Sequence, residues 1–221
     1  MTAVQPVTNC HKVLRSLIDM LIPGTSKKAS QILNKDLTRE TYIDYLIDLY
    51  HMVVAVVPQM QAAIDTLKKE NNPDNQPFID YLERHLEEEA GHDLWILDDL
   101  KNLGVAPETV LAKTPKQETL NMVGALYYRI IHMDPTAILG YMAVGETYPI
   151  SNSILDTMKK AANLDENHVY ALRQHAEIDV DHSLEFYEFI SSVKWTAKQQ
   201  QHMLDSARST IYHMIIIGDT F

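Results

Sequence analysis

The eight-residue sequence HAEIDVDH constrains the fold more than any other part of the chain. Its two histidines, His175 and His182, and the first of its two aspartates, Asp179, are separated by four and then three residues. At about 100° per residue, this spacing places the three side chains on one face of an α-helix. Leu172 and Phe186 continue that face on either side, which predicts that it turns toward a core. Buried imidazole and carboxylate groups need partners, and a metal ion is a common one.

Two further segments carry groups of the same kind on apolar faces. Glu89 and His92 lie three residues apart in one segment, and Glu146 is the acidic group of the other. The apolar residues at helical spacing beside them are Leu82, Leu86 and Ile96 in the first segment and Leu139, Met142 and Ala143 in the second. Glu88 is an alternative to Glu89, because it lies four residues before His92. The three segments together offer six candidate ligands: Glu89, His92, Glu146, His175, Asp179 and His182.

Helical periodicity runs through the whole chain, and no alternating strand pattern of any length is present. The fold class is therefore predicted to be all-α. In the first half of the chain, the expected helices are a short one at 13–21, a short segment holding Ile32 and Leu33, a long helix capped by Thr38 and kinked at Pro58, and a helix at 77–103. In the second half, the expected helices are one capped by Thr114 and ending near Met133, one from Asp134 to Pro149, one at 151–162, one at 166–193 capped by Asp165, and a last helix capped by Thr196.

Length and composition limit the domain organisation and the partners. A chain of 221 residues with 46% apolar content is expected to form one domain over residues 1–221, with residues 1–8 flexible. The net charge of −11 disfavours nucleic acid or an anionic membrane as a partner and favours a small molecule. The lone Cys10 excludes an internal disulfide framework. Without a leader pattern or an apolar run of about 20 residues, a cytoplasmic location is expected.

The ligand set indicates which metals suit the site. Imidazole and carboxylate groups without thiolate suit iron or manganese and can also hold zinc. Six protein ligands are too many for one open catalytic ion, but they suit two ions that share bridging carboxylates in a helical bundle. His85, one turn before Glu89, is interpreted as a group that supports a ligand or contacts the substrate, with a surface position as the alternative.

This arrangement resembles the haem-oxygenase-like di-iron oxidases and oxygenases, in which one core helix carries Glu and His, the next carries Glu and a third carries His-x3-Asp-x2-His. The stretches LTRE from Leu37, DLYH from Asp48 and HDLW from His92 also look like the chlamydial-type 4-aminobenzoate synthases. The resemblance covers most of the chain. It implies a haem-oxygenase-like seven-helix bundle, a cofactor of two iron ions with manganese as an alternative, and oxidation or oxygenation by O₂.

The chain also departs from those synthases. They donate a tyrosine that precedes the long helix, and the corresponding position here is Ala29, with no tyrosine between Met1 and Thr41. A 4-aminobenzoate product is therefore not favoured. Relatives use fatty acids, amino acids and amines, so the expected substrate is a small organic molecule of one of these classes. The residues expected to line its pocket are Tyr50, Val54, His85, Met142 and Tyr148.

Two other functions remain open from the sequence. A haem-binding or haem-degrading protein of the same fold would use His11 or His51 as axial ligand, with the segment from Gly140 to Gly145 over the haem. A non-catalytic small-molecule-binding helical domain would keep the six polar groups as salt-bridged core. The oxidase interpretation is compatible with an external electron donor and with a homodimer.

Overall fold

The computed structural model describes residues 7–27, 37–148 and 150–220. Over these residues the chain is helical and contains no extended strand, which confirms the all-α class. The segment with Ile32 and Leu33, the first six residues, Ala29 and Pro149 lie outside the described residues. The helices are α1 (Cys10–Leu21), α2 (Arg39–Val53), α3 (Val56–Lys69), α4 (Gln76–Glu89), α5 (His92–Asn102), α6 (Pro107–Ala112), α7 (Gln117–His132), α8 (Ala137–Thr147), α9 (Asn152–Ala161), α10 (Tyr170–Ser192) and α11 (Ala197–Gly218), with 3₁₀ turns at Pro73–Asn75 and Glu166–His168.

Helix α8 lies at the centre of the bundle. It packs most extensively against α11 and also contacts α1, α3, α7 and α10. One hydrophobic cluster surrounds it and includes Leu139, Met142 and Phe186. A second cluster, with Tyr42 and Leu172 among its members, joins α2, α5 and the start of α10. The two ends of α10 are thus anchored in different parts of the core.

The expected helix 77–103 is wrong as a single element, because the chain breaks at Ala90 and Gly91. Gly91 has φ of 95°, a left-handed conformation that glycine adopts without the steric cost of a side chain. Glu89 consequently ends α4 and His92 begins α5. The number of separate helices exceeds seven partly because of this break.

The long helix after Thr38 is likewise divided, at Val54 and Ala55 and not by a bend at Pro58 itself. Proline has no N–H with which to bond the carbonyl of Val54 four residues earlier, so the hydrogen-bond ladder fails there. The capping box of Thr38 is present, with Thr41 as its partner. The span Arg39–Lys69 is long enough to cross a membrane and contains an 18-residue window with a mean hydropathy of 1.2, but its Tyr42, Leu46 and Ile64 are buried in the core.

Two expected helix starts are wrong. Thr114 does not cap α7, which begins at Gln117; Lys116 stays extended before it and its Nζ lies 2.8 Å from the buried carboxylate of Asp48. Asp165 caps the 3₁₀ turn Glu166–His168, and the long α10 begins only after that turn. The capping box predicted for Thr196 with Gln199 is confirmed.

The N-terminus of α10 is capped by Asp99, a residue of α5. The Asp99 carboxylate accepts hydrogen bonds from the backbone N–H of Tyr170 at 3.2 Å and of Ala171 at 2.9 Å. Asp99 is fully buried, and burial raises the pKa of its carboxyl to about 6 although the two N–H groups oppose this effect. Helix α5 therefore fixes the start of the helix that carries His175 and Asp179.

Replacing Asp99 tests this cap. Asp99→Ala leaves the N–H of Ala171 buried without a partner and should lower the free energy of unfolding by about 1–3 kcal/mol. Asp99→Asn keeps a side-chain oxygen and should lose less. The exposed neighbour provides the control, since Asp98→Ala should change the free energy by less than about 0.5 kcal/mol. Urea denaturation measures all three, and equal losses for Asp98→Ala and Asp99→Ala would contradict the assignment.

Gly140 permits the close packing of α8 on α11. A Cβ at this position would lie 2.1 Å from the carbonyl oxygen of Met203, 2.8 Å from the Cβ of Ser206 and 2.9 Å from the N of Ala207. Two of these atoms belong to the backbone and cannot rotate away. Only glycine allows the two helices to approach so closely, and the position of Glu146 at the end of α8 depends on that approach.

Gly140→Ala should lower the free energy of unfolding by about 2–3 kcal/mol, because the helices must separate or distort. Gly124→Ala in α7 is the matched control: nothing lies within 4 Å of its added Cβ. Since alanine is the better helix former, that change should add about 0.5–1 kcal/mol. Thermal or urea unfolding of the two variants should therefore shift in opposite directions, and similar shifts would contradict the packing argument.

Candidate metal centre

The bundle brings together the six residues that the sequence singled out. Glu89 and His92 face each other across the break between α4 and α5, Glu146 lies in the last turn of α8, and the three groups of α10 face them. Glu89, His92 and Asp179 are buried, and the other three are partly buried. Leu172 and Phe186, expected to continue the inward face of α10, are buried as well.

Four of the side chains around this centre form one compact group. Glu146 Oε2 is 3.0 Å from His182 Nδ1, and Glu146 Oε1 is 3.4 Å from His85 Nε2. Glu89 Oε1 lies 3.7 Å from His182 Nδ1. One donor atom from each of His85, Glu89, Glu146 and His182 falls within 4.8 Å of all the others. This spacing allows the four groups to hold a single metal ion.

The remaining groups are arranged on the other side of Glu89. Its Oε2 is 3.1 Å from His92 Nδ1. The ring of His92 lies perpendicular to that of His175, with 4.9 Å between their centroids, and His175 Nδ1 is 3.5 Å from Asp179 Oδ1. Glu89 therefore faces one set of groups with one oxygen and a second set with the other. A carboxylate in that position is suited to bridge two ions.

Glu89 and Glu88 differ clearly in their surroundings. The side chain of Glu89 is 6% exposed, whereas that of Glu88 is 36% exposed. Glu88 Oε2 lies 3.4 Å from His85 Nδ1 and 3.9 Å from His182 Nε2, so it approaches the histidines from the outer side. This geometry favours Glu89 as the ligand.

Trp95 is a residue of the site that the sequence reading missed. Its ring stacks on His92 with 4.0 Å between centroids and meets the ring of His175 edge-on at 5.8 Å. Because Trp95 lies three residues after His92 on α5, the i, i+3 rule for helix neighbours could have identified this contact. The indole fixes the planes of both imidazoles.

Charges within the centre are unevenly balanced. Burial acts to raise the pKa of Glu146, but the hydrogen bond from His182 and the nearby imidazole of His85 outweigh it and hold that pKa well below its usual range. The same hydrogen bond raises the pKa of His182 to about 9 against the effect of burial. Burial raises the pKa of Asp179, and the bond from His175 offsets this only in part. The protein without metal therefore contains a Glu146–His182 ion pair, and Asp179 is poorly compensated.

The donors present fit iron or a similar divalent ion. His85 Nε2 and His175 Nε2 are both buried without a hydrogen-bond partner among the described residues, although a buried ring nitrogen normally has one. Imidazole nitrogens mixed with carboxylate oxygens, without a thiolate, are the donor set that iron and manganese accept. The geometry and the orphaned nitrogens thus both suit a metal.

The residues expected to line the substrate pocket differ in how deeply the structure buries them. Tyr50 and Met142 are buried, and His85 is part of the four-residue group. Tyr148 is partly buried and its hydroxyl contacts Asp19. The prediction that Val54 faces inward is wrong, because Val54 lies at the break between α2 and α3 and is 37% exposed. Two tyrosines that were not selected from the sequence, Tyr81 and Tyr141, are close enough to the centre to feel the charge of Glu146. Burial is the larger cause of their raised pKa values, and the negative charge of Glu146 is the second.

The geometry disfavours haem at the position considered from the sequence. Gly140 is covered by the backbone of α11, so that part of the segment cannot lie over a porphyrin without separating the two helices. The six polar groups would also have no role in that arrangement.

The model of a family described as iron-containing redox enzymes matches residues 43–213. The comparison with curated proteins gives no match.

Solved structures resemble this chain in fold. A domain of unknown function with a haem-oxygenase-like fold from Shewanella denitrificans OS217 is 20% identical, with a TM-score of 0.83 over 97% of this chain and 92% of that one. A CADD-like protein of unknown function from Nostoc punctiforme PCC 73102 is 14% identical, with a TM-score of 0.70 over 95% of this chain and 96% of that one. A TenA homologue from Pseudomonas syringae pv. tomato DC3000 is 14% identical, with a TM-score of 0.65 over 92% of this chain and 91% of that one. The haem-oxygenase-like fold expected from the resemblance is confirmed.

Metal addition should tighten α10 more than any other helix. Asp179 is poorly compensated without a cation, and His175 is the most exposed of the candidate ligands with a side chain 24% accessible. Other helices keep their apolar contacts in either state. Hydrogen exchange on metal-free and iron-loaded protein should therefore show the largest gain in protection across Tyr170–Ser192, and equal protection of that helix in both states would show that packing alone holds it.

Proposed function

The chain belongs to the haem-oxygenase-like family of iron-containing redox enzymes, and on that basis we propose that it is an O₂-dependent oxidoreductase with a centre of two iron ions. The proposed ligands are Glu89, His92, Glu146, His175, Asp179 and His182. Manganese is the alternative metal. The substrate is proposed to be a small organic molecule such as a fatty acid, an amino acid or an amine.

The position of Glu89 is the observation that supports this proposal most directly. It is buried, and its two oxygens face two different sets of imidazole and carboxylate groups. A single ion would leave one of these sets without a cation, at the cost of buried polar groups without partners. Two ions that shared Glu89 would satisfy both sets.

Iron bound at this centre would supply the electrons that reduce O₂. The residues of the chain determine where that chemistry takes place. Trp95 holds the rings of His92 and His175, and the hydrogen bond from His182 orients the Glu146 carboxylate. Apolar residues of the cluster around α8, such as Met142 and Phe186, exclude water beneath the centre.

Access to the centre is proposed to lie on the α10 side. The side chain of His175 is 24% exposed and that of His182 is 12% exposed, whereas His85, Glu89 and His92 are each below 8%. A substrate entering there would meet the ligands of α10 first. Tyr50, Met142 and Tyr148 remain proposed as pocket residues. We further propose a cytoplasmic location, an external electron donor and a homodimer, with neither nucleic acid nor membrane as a partner.

Anaerobic loading with ferrous iron, followed by desalting and elemental analysis, tests the centre. The parent protein should retain two irons per chain. His175→Ala and Asp179→Ala should each retain fewer, because they remove a ligand. Asp181→Ala is the control on the same helix, and since this carboxylate is exposed, the variant should retain two irons.

Exposure of the loaded protein to O₂ extends the same experiment to function. Loaded parent protein should consume O₂, and the Asp179→Ala protein should consume much less. If the parent protein retains no iron, or if the ligand variants retain as much as Asp181→Ala, the site assignment is wrong. Added haem that binds and is converted to a linear tetrapyrrole would instead support the haem-degrading alternative.

A further inference from the structure

We infer that His85 is itself a metal ligand, and that Glu88 is the carboxylate that positions it. This inference rests on the proposed function, because it concerns the same two-ion centre. It changes the role expected for His85 from a supporting group to a direct donor, and it gives Glu88 a function separate from that of Glu89.

The placement of the His85 Nε2 atom is the first reason. This atom lies 3.4 Å from Glu146 Oε1 and 3.9 Å from Glu89 Oε1, which are oxygens of two proposed ligands. The His85 ring meets the ring of His182 edge-on, with 4.9 Å between centroids. An ion held by Glu89, Glu146 and His182 would therefore lie within reach of His85 without any movement of the backbone.

Burial is the second reason. His85 is 3% exposed, and its Nε2 has no hydrogen-bond partner among the described residues. A buried imidazole nitrogen without a partner is costly, and coordination of a metal would remove that cost. The ring is also held in place, because Tyr81 stacks on it with 5.8 Å between centroids and 14° between planes.

The opposite nitrogen of the ring faces a carboxylate. Glu88 Oε2 lies 3.4 Å from His85 Nδ1. Histidines that bind metals commonly donate their second N–H to a carboxylate, which fixes the tautomer and directs the other nitrogen at the metal. Glu88 is placed to do this for His85, which explains why adjacent glutamates both approach the centre.

His85 also makes the two halves of the centre equivalent in composition. One half then contains His85, His182 and Glu146, and the other contains His92, His175 and Asp179. Glu89 is shared between them. Each ion would have two imidazoles, one carboxylate of its own and the shared carboxylate. Without His85, the first half would have a single imidazole for the same number of carboxylates.

Cobalt(II) loading with proton NMR distinguishes a ligand from a neighbour. An imidazole bound to Co²⁺ gives hyperfine-shifted ring signals, whereas one outside the coordination sphere does not shift as far. The shifted signals of one imidazole that are present in the spectrum of the parent protein should be absent from the spectrum of His85→Gln. His132→Gln, at an exposed position of α7, is the matched control and should retain all of them.

Cobalt affinity provides the second readout. His85→Gln should bind one of the two cobalt ions at least about tenfold more weakly. Free imidazole should restore that binding in His85→Ala, as expected for a missing ligand. The spectrum of Glu88→Gln should still contain the His85 signals, but at different chemical shifts, because the carboxylate that orients the ring is lost.

An unchanged set of shifted signals in His85→Gln, with two cobalt ions bound, would overturn this inference alone. Failure of free imidazole to restore a cobalt ion that His85→Ala has lost would also overturn it. A Glu88→Gln spectrum identical to that of the parent would refute the role of Glu88. If the parent protein binds no cobalt, the proposed function fails together with the inference.

Discussion

The burial of Glu89 between two groups of histidines is the constraint on which the rest of the site depends. A buried carboxylate is stable only with positive charge or hydrogen-bond donors close to it. Among the described residues, Glu89 makes ion-pair contacts with His92, His182 and His85, and Asp179 and Glu146 add negative charge to the same small volume. Bound cations would offset this charge, and the imidazole and carboxylate groups around Glu89 could hold them.

Distant parts of the bundle determine this arrangement. Helix α5 begins with His92 and, through Asp99 near its other end, caps the helix that carries His175 and Asp179. Helix α8 brings in Glu146 only because Gly140 allows it to lie directly against α11. The geometry of the centre is therefore coupled to packing contacts that do not touch it.

Helical periodicity was sufficient to predict the all-α fold class, and the spacing of His175, Asp179 and His182 predicted that they share one face of a helix. Contacts between distant segments could not be read from periodicity. The Asp99 cap on α10 joins residues more than seventy positions apart, and the break at Gly91 depends on a backbone conformation that other residues rarely adopt. His85 was identified as a neighbour, but only the structure shows how closely its Nε2 approaches Glu146.

We propose that two metal ions share the carboxylate of Glu89. Crystals of iron-loaded protein, measured at wavelengths on either side of the iron absorption edge, test it most directly. Two ions that share Glu89 should give two anomalous peaks about 3.5–4 Å apart, one on each side of that carboxylate. A single peak, or peaks that do not contact Glu89, would contradict it.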